Sequence, residues 1–140
     1  MKSKELLQED EYSIPYHHTI NRNSPEGISY FSVIEIIKKI VKEINPKSLL
    51  DFGCGDGKLL YELKNLNTSL NGIDMSTKAI NFAKIFSPKV NFISGNITNY
   101  NFKQKFDMIT SVEVLEHIAP ENLKELIEIN HSLIKKKDIL

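Results

Sequence analysis

Three glycines and two acids share a stretch of seven residues, Asp51-Phe52-Gly53-Cys54-Gly55-Asp56-Gly57. Glycines bring backbone close to a ligand, and a following helix start offers unpaired N–H groups. A pyrophosphate loop usually reads G-x-G-x-x-G, and here Lys58 stands where its third glycine belongs. Asp51 and Asp56 would also repel a phosphate and attract a cation. Asp74 follows Gly57 by 17 residues and closes a second apolar run. A carboxylate there can accept hydrogen bonds from both hydroxyls of a ribose. The constellation points to a nucleoside that carries positive charge.

Other residues could contribute chemistry. Glu113, Glu116 and His117 have i, i+3, i+4 spacing. On a helical turn they would share a face and could hold a divalent metal. The alternative is that Glu113 and His117 line the mouth of the site without metal, and this reading is preferred. His117 is then the candidate general base, ahead of His18, because an imidazole titrates near neutral pH. Tyr16, His17 and His18 form an aromatic–polar cluster that could fold over a cationic ligand. Cys54 is the single cysteine and reads as a small loop residue. Lys135-Lys136-Lys137 reads as a solvated turn.

The elements that would position these groups follow from periodicity. Residues 1–27 are polar and irregular and are expected to form a separate, partly exposed segment, with a lid over the cofactor as the alternative. Residues 28–140 are expected to form the domain. Val33, Ile34, Ile36, Ile37, Ile40, Val41 and Ile44 predict a helix over 30–44, stopped by Asn45-Pro46. Short apolar runs at 48–52, 69–74, 90–94 and 106–112 predict buried parallel strands. Helices are expected over 58–66, over 77–86 behind a Ser76 cap, and from Glu121 with Leu123, Leu126, Ile127 and Ile129 buried. Ile139 and Leu140 look like the start of a fifth strand. The alternating order implies an α/β fold with a parallel sheet and right-handed crossovers.

Residues 48–118 resemble the class I S-adenosylmethionine-dependent methyltransferases. Leu49-Leu50-Asp51-Phe52-Gly53-Cys54-Gly55-Asp56-Gly57 is similar to their first motif and Gly72-Ile73-Asp74-Met75-Ser76 to their second. Phe106-Asp107 followed by Glu113-Val114-Leu115-Glu116-His117-Ile118 is similar to a later one. The resemblance implies S-adenosylmethionine as cofactor and a Rossmann-like three-layer sandwich. Its strand order would be 3-2-1-4 here, within 3-2-1-4-5-7-6 for a full domain. Asp51 would face the methionine amino group, and Gly53, Cys54, Gly55 and Gly57 would line the cofactor. Asp74 would bind the ribose and Met75 would lie on the adenine. Asn96, with Ile97 beside it, stands where the family has an aspartate accepting from the adenine amino group. The RNA 3′-terminal ribose methyltransferases use a metal set like Glu113, Glu116 and His117 with a further histidine, for which this chain has no matching segment.

Composition sets the remaining expectations. The chain has 140 residues, 41% of them hydrophobic, and 18 basic against 18 acidic side chains. No global basic field favours nucleic acid, so a small-molecule acceptor is preferred over RNA. No run reaches the length of a membrane span, and a cytoplasmic protein is expected. Strands five to seven are missing from the pattern. The expectation is a methyltransferase domain truncated at its C-terminus, or one completed by a partner chain, with an inert cofactor-binding fragment as the alternative.

Overall fold

The computed structural model describes Glu9 and residues 12–136. Four parallel strands form one sheet: β1 (Ser48–Phe52), β2 (Ser69–Asp74), β3 (Asn91–Ser94) and β4 (Met108–Thr110), ordered β3-β2-β1-β4. Leu49 pairs with Leu70 on one side and Met108 on the other, and Asp51 with Gly72 and Thr110. This is the expected 3-2-1-4 order. β1 lies in the middle, where both faces are covered, and its residues from Leu49 to Phe52 are buried.

One face carries α1 (Tyr16–Thr19), α2 (Pro25–Ile44), α3 (Lys58–Leu63) and α4 (Thr77–Phe86). Phe31, Ile34, Val41, Leu60, Leu63, Ile80 and Ala83 pack there against Leu49 and Leu70. The opposite face carries α5 (Pro120–Leu133), whose Leu126 packs with Leu50, Phe52, Ile73, Ile97 and Phe106. Alternate residues of β1 thus feed two cores, as the two-residue period of a strand requires.

Several boundaries differ from those periodicity predicts. α2 begins at Pro25, inside the segment expected to be irregular. Ser24 caps it by accepting the Gly27 N–H at 3.0 Å, and proline suits the first helical position. α3 ends at Leu63 instead of Leu66. No helix joins β3 to β4. Residues 95–107 cover the sheet as a loop, with Ile97 and Phe106 buried in the second core. Ile127 is 63% exposed, because α5 turns Leu126, Ile129 and Leu133 to the sheet and leaves Ile127 outside that stripe.

The fourth strand is shorter than the apolar run suggests. Asp107 accepts from the Ser48 N–H at 2.8 Å and the Ser48 hydroxyl at 2.9 Å, and Lys135 approaches it at 3.1 Å. The Phe-Asp pair therefore fastens β4 to the foot of β1. Phe106 turns to the other edge and bridges Ile134 in parallel, its N–H donating to the Leu133 carbonyl. The fifth strand expected at Ile139 and Leu140 lies outside the described residues.

Candidate cofactor site at the strand ends

The turn after β1 doubles back sharply. Gly53, Gly55 and Gly57 all have positive φ, at 71°, 52° and 75°. Gly57 shows why a side chain is excluded. A Cβ there would come within 2.8 Å of the Ala83 Cβ and 2.9 Å of the Phe92 ring. The loop is therefore pressed onto α4 and β3, with Gly53 its least buried residue. Cys54 is buried inward, and burial, with Asp51 and Asp74 nearby, pushes its thiol well above the usual range. That is the inert loop residue expected.

Asp74 ends β2 directly beside this turn. One carboxylate oxygen accepts the Gly55 N–H at 2.9 Å and the other the Ser76 N–H at 2.8 Å. The side chain is thus fixed in orientation while each oxygen keeps a second lone pair. Burial raises its pKa, and the two N–H bonds counter that rise. Ser76 caps α4 as predicted, accepting the Ala79 N–H at 3.1 Å. Met75, half-buried, follows Asp74 at the same edge.

Asp51 is buried at the end of β1, and the Thr110 hydroxyl donates to it at 2.7 Å. Burial pushes its carboxyl up to about 7, against the Thr110 bond and with the help of Asp74. Thr110 was not foreseen. The signal was available, because a strand-four residue placed beside β1 in this sheet order must face Asp51.

Asp56 has a different role from the ligand-facing charge the sequence suggests. Its carboxylate accepts the His17 backbone N–H at 2.8 Å and faces His17 Nδ1 at 3.2 Å. Its own carbonyl meets His18 Nε2 at 3.2 Å. His18 stacks on Phe86 at 3.7 Å and meets Tyr61 edge-on. Burial lowers the His18 pKa more than Asp56 raises it. Tyr12 places its hydroxyl over Gly55, where a Cβ would collide with it. The residues before α2 are therefore pinned over the glycine turn. Those of the 1–27 segment before Tyr12, except Glu9, lie outside the described residues.

The rim is built by the turn after β4. Glu113 has φ 53°, a left-handed conformation that is costly for a residue with a side chain. Leu115–His117 then form a single 3₁₀ turn. Glu113 sits outside that turn, so the helical face on which Glu113, Glu116 and His117 could have held a metal, the less favoured reading, does not form. The Glu116 side chain lies outside the described residues. Glu113 and His117 are exposed, and Val114 between them packs on Gly53. Asn96 is exposed, and its side-chain oxygen accepts from the Thr98 N–H at 3.0 Å and hydroxyl at 2.9 Å. Both lone pairs of that oxygen are thereby used locally, so the adenine contact expected of it would have to displace one of these bonds. Ile97 beside it is buried.

The donor set fits a cationic nucleoside. Lys58, just after the loop, and Arg22 both turn to Glu62, at 2.7 Å and 3.1 Å. Neither is left to neutralise a phosphate, while Asp51 and Asp74 offer acceptors to an ammonium and to hydroxyls. Residues 49–137 match the family described as "Methyltransferase domain". This chain is a class I S-adenosylmethionine-dependent methyltransferase by family. The cofactor of these methyltransferases is S-adenosylmethionine.

The methyltransferase chain is 32% identical over 108 residues to the ubiquinone biosynthesis O-methyltransferase of Pelagibacter ubique, covering 74% of this chain and 44% of that protein. It is 28% identical over 124 residues to the enzyme of the same name from Rickettsia bellii, covering 86% and 50%. The chain thus spans about half the length or less of these curated relatives. The plantazolicin methyltransferase BpumL, solved with a substrate analogue and S-adenosylhomocysteine, superposes with a TM-score of 0.67 at 28% identity, covering 94% of this chain and 54% of that one. Magnesium protoporphyrin IX methyltransferase from Synechocystis gives a TM-score of 0.79 at 15% identity, covering 96% and 74%, a likeness of fold. Among the described residues, no helix of the methyltransferase is long and apolar enough to cross a membrane.

Proposed function

We propose that the protein transfers a methyl group from S-adenosylmethionine to a hydroxyl of a small molecule, of the class of hydroxylated quinone precursors. The observation that carries the cofactor reading is the Asp74 carboxylate, held by the Gly55 and Ser76 N–H groups beside the glycine turn. Asp74 binds the ribose hydroxyls through its remaining lone pairs, and Asp51 receives the ammonium. Gly53, Cys54, Gly55 and Gly57 form the floor under the methionyl and ribose parts. Met75 lies on the adenine, with Asn96 and Ile97 at its edge. Glu113 and His117 border the acceptor mouth. The acceptor class rests on the similarity to ubiquinone biosynthesis O-methyltransferases.

The sulfonium supplies an already activated methyl group. The residues around it therefore act by alignment and by excluding water. Calorimetry tests the cofactor half: S-adenosylhomocysteine binds and NAD does not. Asp74→Ala weakens that binding by about 2 kcal/mol or more, the cost of lost hydrogen bonds to an ionised group. Uptake of NAD with no binding of S-adenosylhomocysteine would overturn the reading. Incorporation of labelled methyl into a catechol tests the acceptor half.

A further inference from the structure

We propose that His17 is the general base that takes the proton from the acceptor hydroxyl, and that Asp56 is the positioning residue that sets its ring. The inference rests on the O-methyl reading above.

The Asp56 side chain is 1% exposed and the His17 side chain 21%. One carboxylate oxygen accepts the His17 N–H at 2.8 Å, and the other faces Nδ1 at 3.2 Å. Burial alone would raise the Asp56 pKa, but the His17 ring and N–H outweigh it and hold this carboxyl below its usual range. An ionised carboxylate only accepts hydrogen bonds. The nitrogen facing it, Nδ1, therefore carries the proton, and the neutral ring keeps its lone pair on Nε2. No described residue occupies Nε2.

Packing fixes where that lone pair sits. Tyr30 stacks on the His17 ring at 5.0 Å, Tyr16 meets it edge-on at 5.2 Å, and Tyr12 lies tilted at 6.4 Å. Its Cε1, between the two nitrogens, stands 3.8 Å from the point a Gly55 Cβ would occupy. The nitrogen-bearing edge thus borders the glycine turn, beside the Tyr12 hydroxyl, and the side chain keeps 21% exposure. The other two imidazoles nearby lack this combination. His18 has Nε2 on the Asp56 carbonyl and its ring against Phe86. His117 is exposed, and no described side chain orients its ring.

The step balances without a further reagent. As the acceptor oxygen bonds to the methyl carbon, its proton passes to His17 Nε2. The carbon–sulfur bond breaks, and its electron pair stays on sulfur, which becomes a neutral thioether. The imidazolium, paired with Asp56, then releases its proton through its exposed edge to solvent. The polar and titratable groups packed around the ring are Asp56 on the loop, Tyr16 on α1 with His18 beside it, Tyr12 before α1, and Tyr30 on α2. Asp51 and Glu113 act on Tyr30, and Lys58 acts on His18.

The test uses the full chain, S-adenosylmethionine with a labelled methyl, and catechol. In His17→Asn the amide N–H takes the place of Nδ1 toward Asp56, while the basic nitrogen is gone. S-adenosylhomocysteine affinity should stay within about threefold, while kcat near neutral pH falls by about 100-fold or more. The deficit should shrink as pH rises toward the point where catechol ionises unaided. A purely structural role would weaken cofactor binding in step with turnover and leave the pH profile unchanged in shape. Nitrogen NMR of the His17 ring gives a readout apart from activity: the neutral ring should be protonated on Nδ1, and Asp56→Asn should redistribute that proton. Wild-type kcat in His17→Asn, or a neutral ring protonated on Nε2, overturns the proposal. A wild-type chain that binds S-adenosylhomocysteine but leaves catechol unmethylated overturns the acceptor reading, and the ring tautomer then still decides the dyad.

Discussion

Cofactor binding should be linked to a proton on Asp51. This carboxyl is buried at the end of β1, and burial pushes its pKa up to about 7. Only its ionised form attracts an ammonium strongly. If that form alone binds, apparent affinity scales with the fraction ionised, about one half near pH 7 and about 0.03 near pH 5.5. S-adenosylhomocysteine should therefore bind about 15-fold more weakly near pH 5.5 than near pH 7, a difference of about 1.6 kcal/mol. The ammonium and carboxylate of the ligand keep their charges across that range. Calorimetry in two buffers of different ionisation enthalpy should also show release of about half a proton per ligand near pH 7. Asp51→Asn should bind weakly and with a much flatter pH dependence. A dissociation constant that is constant from pH 7 to 5.5, or an equal slope in Asp51→Asn, would refute the reasoning.

The same carboxyl makes a stability prediction of opposite sense. A folded-state pKa above the unfolded value means stability is greatest below that unfolded value and is lost as pH rises toward about 7. Asp51→Asn should therefore stabilise the ligand-free protein at neutral pH, by as much as about 4 kcal/mol, read from denaturant unfolding. Gly57→Ala should destabilise it by about 2–4 kcal/mol, from left-handed backbone and overpacking against Ala83 and Phe92. Asp107→Asn should lower the melting temperature through weaker bonds to Ser48 and Lys135, with little effect on S-adenosylhomocysteine affinity. Its folded pKa lies below the usual value despite opposing desolvation, so its contribution is lost as pH falls, and the melting temperatures of wild type and variant should converge in acid.

What the sequence made legible is what local rules control. Asp51 and Asp74 close short apolar runs that read as buried strands, so their place at the carboxyl ends of two neighbouring strands followed from strand polarity. Ser76 followed from its position ahead of a periodic run. The misses come from contacts that span the chain. Asp56 and His17 are 39 residues apart, and their pairing depends on the N-terminal segment turning back over the loop. α2 began five residues early because Ser24-Pro25-Glu26 starts a helix by capping, while the apolar stripe begins only at Tyr30. Ile127 was misplaced because Leu126, Ile127 and Ile129 on α5 fit more than one stripe, and only the sheet chooses between them. The spacing of Glu113, Glu116 and His117 leaves a helical turn open, and the left-handed backbone of Glu113 forbids it. Nothing in the identity of a glutamate announces that conformation.

Charge explains why fold and site are difficult to separate here. Asp51, Asp56 and Asp74 crowd one turn, and each is handled differently. Asp74 is held by two backbone N–H groups, Asp56 by a histidine ring and N–H, and Asp51 by one hydroxyl. The first two have partners that suit an anion. Asp51 alone is left largely as a proton carrier until a cation arrives. A ligand with a fixed positive charge thus completes the least satisfied position of the turn, whereas a phosphate would meet three acceptors, with Lys58 and Arg22 both turned to Glu62. The N-terminal segment belongs to the same device, because His17 both hydrogen-bonds Asp56 through its backbone N–H and ring and borders Gly55. Removing that segment should therefore unsettle the glycine turn itself, beyond uncovering it.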